Sequence, residues 1–570
     1  MRAYIGKIIL SCFTVFLIAA MLYSEYHLEM KGKRILMKRR IVEYGFLGLL
    51  IIQFGFILFF NLSDIRCSLD PDFANTIYHY MEVIKSKNLK LQDWYHTTSL
   101  ELDGSMLFAL PLYYLIGDIF KSVGISNIII TVLYLVVIRR ILKEFNIENS
   151  IIYLTLTLII TPYAYGMLDW FNMLFYGGAC YSIKTIVPIL LLLILILLKN
   201  KSYNSKWKKI ELLFFSLTYF FLLFITSFST GIFVALCGLL PIFIWMFIKM
   251  FLDGVPKEIL DKKIWIIWGV TAIIYVLGYL LHKKVYNATS RTNMNLTNMG
   301  DFRDNFIACI RGIYELMGAV TKEDVSALSV DGIILCIKML FVTGLLVSLF
   351  YVYIKYNNKI LKKEATSDSL KNYLSFMFLW IFMVMFLVDM RFPGNNYTEY
   401  RYFIIGVVPL IILLGFQLNT LINIFNNFQK VIAYIGLFIV LLIIVMGNNK
   451  NVLENWDRST YAVELTEYVD TLGVDSVIFV LDVDSAVMCK GIDNSRKYGA
   501  YLPETGGLYL GICSYYESGS GQYYDDHHAL IAIGGTNLYE CMSEEVANNY
   551  VKIDQFKWFD IYMSDVMMFP

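Results

Sequence analysis

The sequence predicts a polytopic α-helical membrane protein, with about 11–12 transmembrane helices and a small C-terminal α/β extracytoplasmic domain. Three observations carry that prediction. Only 17% of residues are charged while 58% are hydrophobic, against roughly a quarter charged in soluble domains. Apolar runs of about 20 residues, the length that crosses a ~30 Å hydrocarbon core, recur along most of the chain. From Gly447 onward the apolar runs give way to a mixed pattern with 19 acidic and 7 basic residues.

In order, the spans fall near 8–23, 43–62, 125–142, 150–166, 185–198, 210–226, 231–248, 264–281, 332–354, 372–388, 402–418 and 431–446. The first has no small-residue cleavage site before Lys31-Gly32-Lys33-Arg34 and Lys38-Arg39-Arg40, so it is expected to be retained rather than removed as a signal. Met30 and Met37 each offer an alternative start, which makes 1–30 an extra segment ahead of a membrane domain at 31–446.

Basic residues set the orientation. The loops 24–41, 139–149, 199–209, 249–263, 355–371 and 419–430 hold 24 Lys and Arg in 84 positions, and the intervening loops hold 14 in 152. The basic set is therefore cytoplasmic. This requires 106–120 not to cross, and its length, Pro111 and Gly117 fit a helix lying in the outer interface. The tail, 447–570, is then extracytoplasmic. An amphipathic helix near 457–472, strands at Ser476–Leu481 and Ala529–Ile533, and aromatic Trp558, Phe559 and Tyr562 near a final strand make it a small α/β domain.

The net charge of +1 gives no reason to expect nucleic acid as a partner, and the nine cysteines show no CxxC or metal-ligand spacing. They are expected as free buried thiols. Lys338 is the only clear charge inside a span, so an ion-coupled pump is poorly supported. Lys283 and Lys284 fit helix-end snorkelling, and Asp525-Asp526-His527-His528 reads as a polar turn.

The outer loop 63–124 carries the most site-like sequence. Apolar residues at Phe73, Ile77, Tyr80 or Met81, and Ile84 make an amphipathic helix with Asp70 and Asp72 at its N-terminus, where negative charge is favoured. One of the two can serve as N-cap, but both cannot cap the same helix. The free carboxylate can act as a general base on an acceptor hydroxyl. Together the pair can hold a divalent cation, Mg or Mn, against a phosphate leaving group. Trp94-Tyr95-His96-Thr97-Thr98 follows, then Glu101 and Asp103 ahead of the interfacial helix. Farther along, Asp169, Asp389, Arg391 and Tyr400-Arg401-Tyr402 face the same side. Arg391 and Arg401 suit a lipid-linked phosphate, because the guanidinium fork matches phosphate geometry.

This arrangement resembles the GT-C class of membrane glycosyltransferases, which use polyprenyl-phosphate-linked sugars on the outer face. The features that carry the resemblance are a basic head before a first core span, the acidic motif Leu69-Asp70-Pro71-Asp72-Phe73-Ala74, the Trp94–Thr98 stretch, the segment Ala109-Leu110-Pro111-Leu112-Tyr113-Tyr114, and the basic turn Arg139-Arg140. It is most similar to a bacterial branch that ends in a small outer domain. The usual Asp-Glu doublet is absent, and His96-Thr97 replaces the commoner aromatic-Ser, which leaves donor and acceptor unassigned. The resemblance implies Asp72, and after it Asp70, as catalytic base. Trp94, Tyr95, His96, Glu101, Asp169, Arg391 and Arg401 would line the substrate site. The implied partners are a polyprenyl-phosphate-linked donor and a lipid, polysaccharide or protein acceptor in the cell envelope. Two other functions compete. A surface-polysaccharide polymerase or ligase would place essential arginines in a large loop, here Arg291, Arg303 and Arg311 of 282–330. A non-enzymatic glycan or lipid translocator would show repeats and polar span linings, and the sequence has no repeat and few such residues.

Overall fold

A computed structural model of the chain describes residues 34–564, apart from 92–93, 97–98, 165–168, 200–205, 254–261, 287–295, 321–324, 361–367, 389–399, 504–506, 510–513 and 516–527. The first expected span, Thr97, Thr98, Arg291, Asp389, Arg391 and Asp525-Asp526-His527 lie outside the described residues.

The membrane domain begins with α1 (Arg34–Leu62). The first loop then folds as α2 (Pro71–Ser86), β1 (Trp94–Tyr95) and α3 (Met106–Ile116). Helices α4 (Ile119–Glu144), α5 (Asn149–Ile160), a short α6 (Trp170–Leu174), α7 (Ser182–Lys199) and α8 (Lys206–Thr230) follow. Then come α9 (Leu240–Asp253), entered through a π-helical turn at Ala235–Leu239, and α10 (Lys262–Val285). An amphipathic α11 (Phe302–Leu316) precedes α12 (Val330–Ile360), α13 (Asp368–Leu387), α14 (Ile404–Ile424) and α15 (Asn427–Asn455).

Among the described residues, eight helices are long and apolar enough to cross a membrane, and α5, α7 and the Ala235–Ile248 segment are shorter apolar helices. The span expected at 150–166 is cut short: α5 stops at Ile160, before Thr161-Pro162. Its 12 residues rise only ~18 Å, and Thr155 and Thr157 return their hydroxyls to carbonyls one turn back, at 2.8 Å each. Helix α3 is shorter still, with 11 residues against the ~20 that cross a hydrocarbon core. It ends at Gly117, φ 76°, and Asp118 caps the start of α4 by accepting from the Phe120 and Lys121 amides.

Buried amides tie the helices together where no water can serve them. Asn61 Nδ2 donates to the Phe175 carbonyl at 2.9 Å, and Asn127 Nδ2 donates to Asn61 Oδ1 and to the Gly177 carbonyl, each at 3.1 Å. The Gly177–Gly178 turn held this way seats Phe73 of α2. It also accepts the Ser105 amide at 2.9 Å, so one turn fixes both ends of the first loop.

Beyond α15 the chain forms α16 (Thr460–Leu472), β2 (Ser476–Val480), α17 (Val483–Ile492), β3 (Lys497–Leu502), β4 (Gly507–Tyr509), β5 (Ser514–Tyr515), β6 (His528–Ile533), short α18 (Leu538–Cys541) and α19 (Glu544–Ala547), β7 (Val551–Phe556) and β8 (Phe559–Ser564). Six strands make one mixed sheet in the order β4-β3-β2-β6-β8-β7, with β2 parallel to both β3 and β6. Helices α16 and α17 pack on one face through Leu465, Ala486, Val477 and Phe479. Leu538, Met542 and Ala547 cover the other, against Ile478 and Leu530.

This domain meets the first loop at several places. β5 pairs with β1, with Trp94 opposite Tyr515. Ser459 Oγ accepts from the Leu69 amide at 2.7 Å. Lys85 Nζ donates to the Asn494 carbonyl at 2.8 Å. Gly491 of α17 meets α2 so closely that a Cβ there would stand 2.8 Å from the Ala74 Cα. The loop and the domain therefore lie on the same side of the membrane.

Candidate active site

Asp70 and Asp72 take different places. Pro71 occupies the first helical position of α2, where its missing N–H costs nothing, so the residue before it becomes the N-cap. Asp70 Oδ1 accepts from the Phe73 amide at 2.9 Å, and its other oxygen lies 3.8 Å from Arg458 Nη2. Burial pushes the Asp70 carboxyl up to about 6, against the pull of Arg458. Asp72 makes no cap. Its carboxylate is 43% exposed and faces Arg401 Nη1 at 3.4 Å.

Arg401 belongs to a tight turn, Tyr400–Phe403, that leads into α14. The neighbouring Tyr400 hydroxyl donates to Asp169 Oδ1 at 2.8 Å. The turn thus brings Arg401 to Asp72 and Asp169 to the same region. The segment 99–105 closes the opposite wall. The Leu100 amide donates to the Ser229 carbonyl, and the Leu102 amide to Ser229 Oγ, each at 2.9 Å. Glu101, clamped between them, holds φ 54°, a left-handed value that is uncommon outside glycine. Thr76 Oγ1 hydrogen bonds to its carboxyl. Burial, and then the nearby charge of Asp72, raise the Glu101 carboxyl to about 7, while Thr76, Lys184 and Arg401 oppose the rise.

Two further residues complete the wall. Asp103, fully buried, accepts from Ser229 Oγ at 2.7 Å and from Thr230 Oγ1, and lies 3.8 Å from Lys184 Nζ. Lys184, at the start of α7, also stands 4.9 Å from the Tyr181 ring centroid. A buried lysine–aspartate pair with every carboxylate oxygen bonded is costly to disrupt from either side. The sequence carries one signal for Lys184: it is the only lysine between Tyr181 and Leu198, at the loop end of an apolar run. Arg458 has no comparable sequence mark.

The aromatic stretch is built into a stack of rings. Trp94 and His96 are buried, and with His79 they begin a column of rings. His79 stacks on Trp94 at 4.9 Å and meets His96 edge-on at 5.0 Å. His96 stacks on Tyr286 at 5.5 Å, and Tyr286 on His282 at 4.6 Å. Burial lowers His79 to about 3, with His96 adding to the effect. Tyr95 pairs with Ser514 through the backbone. These residues join the loop to α10 and, through β5, to the C-terminal segment. In the other expected arginine set, Arg303 is exposed on α11 and Arg311 is bonded to Glu315 at 2.8 Å.

The pair expected to hold a divalent cation is engaged by these contacts. Each carboxylate faces a guanidinium, and Asp70 Oδ1 is committed to its cap. Among the described residues no group of three or more His, Cys, Asp or Glu side chains is arranged for a metal ion. Two carboxylates already facing cations are a poor donor set for Mg or Mn.

No protein-family model matches the sequence, and no curated protein matches it. Among solved structures, the chain is similar to ArnT from Cupriavidus metallidurans, a crystal structure in the apo state. The two share 9% identity and a TM-score of 0.51, over 92% of this chain and 99% of that one. The likeness shows the fold: this is a multi-pass helical membrane protein with the architecture of that structure and a small C-terminal sheet domain.

Proposed function

We propose that the protein is a membrane glycosyltransferase that moves a sugar from a polyprenyl-phosphate-linked donor to an acceptor hydroxyl at the outer face. One observation carries this reading: Asp72, a solvent-reached carboxylate, faces Arg401 at 3.4 Å at the rim of a GT-C-type bundle. Glu101 and Lys184 stand within electrostatic reach of the same place. The site is at the end of the bundle away from the basic loops, which supports reading it, and the C-terminal domain with it, as extracytoplasmic.

The chemistry is direct displacement at the anomeric carbon. Asp72 takes the proton of the acceptor hydroxyl as its oxygen bonds to that carbon. The bond from carbon to phosphate oxygen breaks, and the electron pair leaves with the polyprenyl phosphate. Arg401 and Lys184 receive the charge on that phosphate from fixed positions, so no reorganisation is required during the step. Asp103, Ser229 and Thr230 keep Lys184 oriented. Asp70 is a positioning residue: it starts α2 and so sets where Asp72 stands.

The test is transfer of radiolabelled sugar from polyprenyl-phosphate donors by membranes carrying the protein. Asp72→Asn is expected to abolish transfer with normal protein levels. Full activity in that variant would overturn the role given to Asp72.

A further inference from the structure

We infer that a cleft at the end of the bundle opposite Asp72 holds a phospholipid headgroup, and that its chemistry fits phosphoethanolamine. The inference is independent of the glycosyl-transfer function proposed above.

The cleft is open and has a volume of about 470 Å³. Its walls carry Arg40 and Glu43 from α1, Lys143 from the last turn of α4, and Glu148, Asn149 and Ser150 from the start of α5. α1 climbs ~33 Å from Arg40 to Leu62, and the loop bearing Asp72 begins after Leu62. The cleft and Asp72 are thus at opposite ends of the same helix.

Local bonding leaves an anion site in this cleft. Glu148 occupies the N-cap position of α5 but makes no cap bond there. Its carboxylate accepts from the Tyr434 hydroxyl of α15 instead. The Asn149 and Ser150 amides at the head of α5 have no acceptor among the described residues. Ser150 is only 4% exposed, and its hydroxyl also makes no hydrogen bond among the described residues. Glu43 accepts from Asn149 Nδ2 at 2.8 Å. Arg40 and Lys143 are exposed, and neither is paired with a carboxylate among the described residues. Free helix amides, a buried hydroxyl and two uncommitted cations suit a phosphate.

The depth of the cleft points to a lipid as the source of that phosphate. Arg40 opens the apolar stretch of α1, and Lys143 closes that of α4. Both stand where a span leaves the hydrocarbon, at the level of the headgroups. Below Arg40, Tyr44, Ile51 and Gly55 follow at spacings of four, seven and four on one face of α1, and all are exposed. A Cβ at Gly55 would meet nothing within 4 Å. This strip offers an acyl chain a track directly below the phosphate. A soluble phosphate ester gains nothing from it.

The carboxylates select the headgroup. Phosphatidylglycerol would bring a net negative charge to a cleft that already holds Glu43 and Glu148. Phosphoethanolamine brings an ammonium that those carboxylates accept, while its phosphate meets Arg40 and Lys143. The quaternary ammonium of phosphatidylcholine has no N–H to give them.

The experiment is native mass spectrometry of the full chain in detergent micelles, titrated with dioleoyl-phosphatidylethanolamine, -phosphatidylglycerol and -phosphatidylcholine. Phosphatidylethanolamine is expected to bind tightest. Arg40→Gln combined with Lys143→Gln should weaken it about tenfold or more, as for two basic side chains at a lipid phosphate. Lys209→Gln combined with Lys262→Gln, which removes two exposed lysines elsewhere, should leave binding unchanged. Glu43→Gln should erase the preference over phosphatidylcholine. O-phosphoethanolamine and inorganic phosphate in large excess should not displace the lipid. Displacement by either, equal losses from the two paired changes, no preference for phosphatidylethanolamine, or a preference that survives Glu43→Gln would overturn the inference.

Discussion

Asp70 and Asp72 stand two residues apart yet face different arginines, Arg458 Nη2 at 3.8 Å and Arg401 Nη1 at 3.4 Å. One arginine belongs to the segment entering the C-terminal domain and the other to the turn before α14. The short acidic motif is thus a junction between two distant parts of the chain, and its two carboxylates should respond differently to mutation.

Asp70→Asn keeps the cap, since asparagine caps as well as aspartate, and should retain most transfer activity. Asp70→Ala should cost about 1 kcal/mol or more through loss of the cap. The pH dependence has a definite sign. The folded-state value of about 6 lies above the ordinary 3.8, so Asp70 contributes stability below pH ~4 and loses it as pH rises through ~6. The melting temperature of Asp70→Asn relative to wild type should therefore climb between pH 4 and pH 7. A flat difference would contradict the burial of this carboxyl.

Glu101 should make donor affinity pH-dependent. Below its value of about 7 the carboxyl is neutral, and Arg401 and Lys184 are less compensated for a phosphate. Above it, the carboxylate competes with that phosphate. The KM for the donor is expected to rise as pH increases through ~7, and Glu101→Gln should remove the rise. Steady-state kinetics from pH 5.5 to 8.5 would measure this.

Because both acidic residues already meet guanidinium groups, transfer is expected to survive exhaustive chelation. Loss of activity in EDTA with recovery on adding Mg or Mn would mean that the two carboxylates turn towards each other during turnover.

Gly491→Val should separate the C-terminal domain from the first loop. The new side chain would meet the Ala74 backbone at 2.8 Å, and backbone cannot yield as a flexible side chain can. The expected readouts are a lowered melting temperature and faster proteolysis between α15 and α16. Transfer should fall without any change to Asp72 itself.

Much of the membrane domain was legible because burial in lipid demands long apolar runs. α5 was overestimated because apolar composition continues beyond Ile160 while Thr161-Pro162 ends the helix. The strands around Ile478 and Leu530 were readable from short apolar runs, since both sheet faces are covered. The division between Asp70 and Asp72 was half readable: Pro71 at the first helical position makes the preceding residue the cap. Nothing local shows that Arg458 meets one and Arg401 the other, because those contacts span 388 and 329 residues. Trp94 and His96 look like site residues in one dimension. Only the positions of His79 and Tyr286 reveal them as parts of a buried stack.

The grip of Ser459 and Arg458 on residues 66–70 bears on how the molecule is made. A ribosome delivers the first loop early and these two residues only after the last span has been inserted. Until then α2 lacks the anchors that Arg458 and Ser459 supply, and the loop waits without its partner. Chains interrupted before α16 are therefore expected to insert normally yet leave the first loop incompletely anchored.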